Sequence, residues 1–157
     1  VLTLEQAKER LLLRNRNDGP ELLLTWFMHE TIDLAVMRAI LLDVWRGCEW
    51  PLRTMSRRTW LYLFRLAGFV SDTNKPAPQE ALWVWRAQIG RTRGLAWTTS
   101  KDTALWFHKR NCRFGFEGRL LHGVVRPTGV LALVDGRQEA EVILDPGFLG
   151  KVSEVKP

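Results

Sequence analysis

Cysteine is scarce in this chain. Cys48 and Cys112 are the only two in 157 residues, too few for a disulfide framework and without the spacing of a metal site. Neither has a partner in sequence that suggests nucleophilic catalysis. The three histidines, His29, His108 and His122, lack ligand-like spacing, so metal-assisted hydrolysis is not indicated. No Gly-rich fingerprint joins a strand to a helix, and no alternating βαβ pattern runs along the chain. A nicotinamide dehydrogenase is therefore disfavoured. No segment has the length and polarity of a signal peptide or a membrane span. The expectation is a cytoplasmic protein in a reducing compartment, with no metal and no membrane partner.

The chain does have an ample apolar content, 46%, and eight tryptophans. The first suits a folded domain rather than a disordered segment. The second means that some indole rings line a groove or an interface, since each buried N–H needs an acceptor. The formal charge of +6 is unevenly placed. Residues 1–80 carry 11 Lys/Arg against 10 Asp/Glu, whereas residues 81–157 carry 12 against 7. Such a bias attracts a phosphate-rich ligand or, weakly, a nucleic acid.

Periodicity divides the chain in two. Thr3-Leu4-Glu5-Gln6 has capping-box spacing, and Leu4, Ala7, Leu11 and Leu12 follow at helical intervals. Asn17-Asp18-Gly19-Pro20 breaks that helix, and Pro20 opens a second through Leu22, Leu23, Trp26 and Phe27. A third is expected from Asp33 to about Trp45. A fourth follows Ser56 as N-cap and closes at Gly68. Arg57, Arg58 and Arg65 on this fourth helix read as a solvated face. Residues 71–79, with Asp72, Asn74, Pro76 and Pro78, read as a linker or long connection.

The pattern then turns to strands: Leu82–Gln88, Gly94–Trp97, Leu120–Val125, Gly129–Val134 and Ala140–Leu144, with a helix over Lys101–Arg110 capped by Ser100. In the first strand Trp83 and Trp85 alternate with Val84 and Arg86. The predicted fold is α+β: an N-terminal helical bundle (residues 1–75), then a compact, mainly antiparallel β-sheet unit (residues 76–157).

Three polar elements in the second part ask for an explanation. Arg86 sits in an aromatic strand, where a guanidinium needs a carboxylate such as Glu141 or an anionic ligand. Thr98, Thr99 and Ser100 place hydroxyls between a strand and a helix, either as a simple cap or as a ribose or phosphate subsite. Glu139 and Glu141, two apart on an expected strand, share a face. They form either a solvated edge or a ligand site.

The order of these elements resembles the Arg-Ser-Glu class of ADP-ribosyltransferases, especially small bacterial and phage members. The resemblance covers residues 82–146. It is carried by Leu82-Trp83-Val84-Trp85-Arg86-Ala87, Gly94-Leu95-Ala96-Trp97-Thr98, Thr103-Ala104-Leu105-Trp106-Phe107 and Glu139-Ala140-Glu141-Val142-Ile143-Leu144-Asp145-Pro146. It implies an ADP-ribosyltransferase-like sheet and an NAD-dependent mono-ADP-ribosyltransferase. Such an enzyme cleaves the nicotinamide–ribose bond through an oxocarbenium-like state and passes ADP-ribose to a macromolecular acceptor, expected to be a protein, with nucleic acid also open.

By that resemblance Glu141 is the catalytic carboxylate, and Glu139 binds or activates the acceptor. Arg86 holds the NAD diphosphate and ribose side. Ala96-Trp97-Thr98, with Thr99, stands in the place of the Ser-Thr-Ser element, and Trp97 or Phe107 stacks near the nicotinamide. The loop from Asp135 to Gln138 faces the target. Two positions depart from the family pattern: its first serine is Ala96 here, and Ala87 follows Arg86 where glycine is common. The alternative expectation is a catalytically weak or inactive protein of the same fold that binds a protein or nucleic acid through its basic, aromatic second half.

Overall fold

The computed structural model describes residues 1–157, which separate into two compact units, Val1–Val70 and Ser71–Pro157. The first unit is helical. α1 (Leu4–Leu12) starts in the complete Thr3/Gln6 capping box, and α2 (Gly19–Met28) carries Pro20 in its first turn. α3 (Leu34–Gly47) is capped by Asp33, whose carboxylate accepts from the Val36 N–H at 2.8 Å. A single turn that sequence reading does not anticipate, α4 (Pro51–Thr54), precedes α5 (Arg57–Ala67), which Ser56 caps and Gly68 ends at φ 69°.

The unit is held together by apolar side chains of α2, α3 and α5. Trp45 meets Trp60 edge-on, with centroids 4.9 Å apart, and meets Phe64 at 5.8 Å. The buried Trp60 indole donates to the Pro51 carbonyl at 2.9 Å, so the short α4 turn serves as its acceptor. Arg57, Arg58 and Arg65 are exposed, as a solvated face requires.

The second unit is a sheet with one long helix. Its elements are β1 (Val70–Ser71, where the chain passes from one unit to the next), β2 (Leu82–Ile89), β3 (Ala96–Thr98), α6 (Lys101–Arg113), β4 (Gly118–Val125), β5 (Val130–Val134), β6 (Glu141–Leu144) and β7 (Ser153–Val155). The strand order is β1-β5-β6-β3-β2-β4-β7. β2 and β4 pair antiparallel over eight positions, Leu82↔Val125 to Ile89↔Gly118. β3 pairs antiparallel with β6 over three positions, but with β2 only at Trp85↔Thr98. The architecture is α+β, helices first and sheet second.

Several boundaries differ from expectation. β3 begins two residues later, at Ala96, because the Gly94 backbone carbonyl accepts from the buried Trp97 indole at 3.1 Å, and the strand starts beyond that turn. β6 begins at Glu141, not Ala140, because Gln138 and Ala140 both take left-handed backbone, φ 58° and 47°. Glu139 therefore lies in an irregular loop, and the expectation that Glu139 and Glu141 leave one face of a strand is corrected. α6 runs three residues past Arg110, and β7 was not anticipated.

Residues 71–79 are not a free linker. The Asp72 carboxylate accepts from the backbone N–H groups of Asp135 and Gly136, both at 2.9 Å, and Lys75 pairs with Asp135 at 2.6 Å. This segment thus clamps the β5–β6 loop.

Candidate active site

In the second unit a cavity of about 280 Å³ opens where β2 and β3 part. The single register pair between these strands explains it. Beyond Trp85↔Thr98 no ladder holds them together, and residues of both strands line the gap. α6 forms one wall with Thr103, Ala104, Phe107 and Asn111, and Glu139 and Glu141 come from the start of β6 and the loop before it. The register places Trp85, Thr98 and Glu141 in one row across three neighbouring strands, although they are far apart in sequence.

Arg86 enters the gap from β2. Its Nε donates to the Gln88 amide oxygen at 2.8 Å, and Nη1 donates to the Ala96 carbonyl. Gln88 is fully buried, and its own amide donates to the carbonyls of Ile89 at 2.9 Å and Thr92 at 2.6 Å. One glutamine thus orients the guanidinium and ties down the loop behind it. Burial pushes the Arg86 pKa down to about 10, and the nearby Glu141 charge opposes that fall. The side chain stays cationic at neutral pH, and a bound anion would offset its desolvation further.

Gly94 completes this arrangement. A Cβ at position 94 would lie 2.7 Å from Cζ of Arg86 and 3.0 Å from Nη1, so the guanidinium rests on bare backbone.

Thr98 has a structural task. Its hydroxyl donates to the Glu139 carbonyl at 2.7 Å and accepts from the Ser100 N–H at 3.0 Å. It therefore positions the Glu139 backbone and the start of α6 together. Ser100 caps the helix, accepting from the Thr103 N–H at 3.1 Å, and the Thr103 hydroxyl donates to the same oxygen at 3.0 Å. Ser100→Ala is expected to lower stability by about 1 kcal/mol, read from urea denaturation; an unchanged midpoint would show that the cap contributes nothing.

Arg86, Ala96, Trp97, Thr98, Phe107, Glu139 and Glu141 all line the cavity. Thr99 does not. Its side chain is exposed, and its N–H donates to the Ala140 carbonyl at 3.1 Å, which ties β3 to the loop before β6. Trp97 is almost wholly buried with its indole N–H satisfied, which makes it a wall rather than a free stacking surface. Half-buried Phe107 lines the cavity from α6 instead, whereas the Trp85 ring stacks on His122 at 4.6 Å.

Sequence reasoning missed Gln88, Gly94, Asn111 and Asp72. Gln88 had a local signal, since it lies two residues beyond Arg86 on the same strand. Asp72 had none, because its partners lie 63 and 64 residues away.

Asp72→Ala is expected to destabilise the protein by about 1.5–3 kcal/mol, since it removes two hydrogen bonds to a charged acceptor. Amide exchange across residues 135–140 should accelerate more than elsewhere; a uniform acceleration would contradict the clamp.

No group of three or more His, Cys, Asp or Glu side chains is placed to hold a metal ion, and no helix is long and apolar enough to cross a membrane. No family model, curated protein or solved structure matches the chain.

Proposed function

We propose that this protein is an NAD-dependent mono-ADP-ribosyltransferase with an ADP-ribosyltransferase-like sheet. The observation that carries the reading is the meeting of Arg86 and Glu141 in one cavity, with Thr98 between their strands and Glu139 at the rim. A cation, a carboxylate and aromatic walls together suit a ligand that carries phosphate, ribose and a flat ring.

Size limits what enters. A space of about 280 Å³ lies at the lower end of ordinary ligand pockets, about 300–1,000 Å³. It fits the nicotinamide ribose portion of NAD and leaves the adenosine end outside.

In this reading Arg86 binds the diphosphate by charge-assisted hydrogen bonds, with its fork already aimed by Gln88 and Ala96. Phe107 flanks the nicotinamide. Glu141 hydrogen-bonds the ribose 2′-hydroxyl and stabilises the positive charge that grows on the sugar as the C1′–nitrogen bond breaks. The bonding pair leaves with nicotinamide. Glu139, held by its backbone to Thr98, orients the acceptor nucleophile and takes up its proton as the new bond to C1′ forms.

Ala96 stands in place of the family serine, and the β3–β6 ladder fixes the Glu141 backbone directly opposite Thr98. The test is nicotinamide release from NAD by purified protein, with and without cell lysate. Release that rises with lysate supports transfer to a macromolecule, and release indifferent to lysate supports hydrolysis. No release from folded protein at millimolar NAD would overturn the enzyme reading.

A further inference from the structure

A second feature of this unit lies outside the cavity, on the outer face of α6. Trp106, Arg110 and the C-cap residue Phe114 recur every fourth position and form one stripe. Trp106 is 54% exposed and Phe114 69%. The Arg110 guanidinium carbon lies 5.7 Å from the Trp106 ring centroid and 5.8 Å from that of Phe114, so a cation is held between two rings. Exposed Lys109 and Arg113 flank the stripe. Phe116, 53% exposed, and exposed Arg119 follow in the chain just beyond the helix end. The span from Lys101 to Arg119 holds five Lys/Arg against Asp102 and Glu117.

A helix face that only meets water needs the charges but not the rings. Leaving three large rings mostly exposed in one stretch is unfavourable unless a partner covers them. From Trp106 to Phe114 the helix rises about 12 Å, a length that matches three to four stacked bases at about 3.4 Å each. Rings for base stacking, interleaved with cations for phosphates, are what an unpaired strand requires. A duplex hides its base faces, and an acidic peptide would use the cations and leave the rings uncovered.

We propose that the outer face of α6, from Trp106 to Phe116, binds single-stranded nucleic acid. The site uses neither Arg86 nor Glu141, so strand binding and NAD turnover are separable, with Trp106 alone also lining the groove beside Glu139.

The experiment is fluorescence anisotropy of a fluorescein-labelled oligothymidine of about 15 nucleotides, a length within the range of single-strand sites, titrated with the full chain over a NaCl series. Wild-type protein is expected to bind, and the W106A/F114A double variant to bind at least about tenfold more weakly. K109Q/R113Q should lower the log–log salt slope by about 1.4. W106F keeps a ring and should retain most of the affinity, while F114A alone, at an exposed cap position, gives a milder test should the double variant fold poorly. E141Q should bind as wild type. Binding that ignores loss of the rings would overturn the proposal. So would tighter binding of the matching duplex or of polyglutamate, or no binding at about 50 mM salt.

Discussion

Glu141→Gln is expected to reduce nicotinamide release from NAD by about 10²–10³-fold, the usual scale for losing one preorganised electrostatic stabiliser of a transition state. The substitution keeps shape and hydrogen-bonding atoms but removes the charge. Glu141 is half-buried and its backbone is locked in ladders to Thr98 and Val134, so the fold has little reason to change. Substrate affinity should alter far less than turnover, since in the proposed reaction the carboxylate acts on charge that develops only as the bond breaks. Glu139→Gln should behave differently. Glu139 sits at the rim and also lines a shallow groove with Asp102 and Trp106, the side from which the proposed reaction takes its acceptor. Transfer of ADP-ribose to lysate protein should fall by about tenfold or more, as for loss of a general base, while nicotinamide release persists. Equal loss of both activities in the two variants would merge their roles, and retention of release in Glu141→Gln would remove Glu141 from the chemistry.

The cavity depends on a strand order that local patterns do not encode. What sequence showed well were the features set by neighbours in the chain. Thr3 with Gln6, Asp33, Ser56 and Ser100 all cap helices, because a hydroxyl or carboxylate reaches an N–H three residues away without help from the rest of the fold. The alternation of Trp83 and Trp85 with Val84 and Arg86 was equally legible, and it puts both indoles against His122, at 4.9 and 4.6 Å.

The misread pieces fail for physical reasons. Glu139-Ala140-Glu141 has the composition of a strand start, but nothing in it signals that Ala140 takes a left-handed φ, which glycine or asparagine would ordinarily announce. The loop is forced there by contacts from elsewhere: the Thr98 hydroxyl on the Glu139 carbonyl, the Thr99 N–H on the Ala140 carbonyl, and Asp72 on the two residues at the loop's start. The same contacts bring Glu139 to the cavity by a route different from the expected one. β7 escaped notice because three residues with largely exposed side chains carry no alternation to read. α4 escaped because a single turn has no period.

Gly94→Ala tests the geometry from the opposite side to Glu141. Position 94 has an ordinary backbone conformation, so the added methyl costs little in φ/ψ terms; the conflict is wholly with Arg86, whose Cζ would lie 2.7 Å from the new Cβ. The neighbour that must yield is a side chain, not backbone. It is already held by Gln88 and the Ala96 carbonyl, so moving away breaks at least one of these hydrogen bonds. Losing one hydrogen bond to a charged group costs about 1.5–3 kcal/mol, and a guanidinium displaced from the phosphates should weaken NAD binding by about 10–150-fold. Arg86→Gln should weaken binding by a similar factor, and the double variant should add little to either, since both remove one aimed cation. Isothermal titration with NAD on Glu141→Gln protein, in which turnover is suppressed, measures this directly. Additive losses in the double variant would mean that Gly94 serves the site by some means other than seating Arg86. Unaltered binding in both single variants would place the diphosphate elsewhere in the fold.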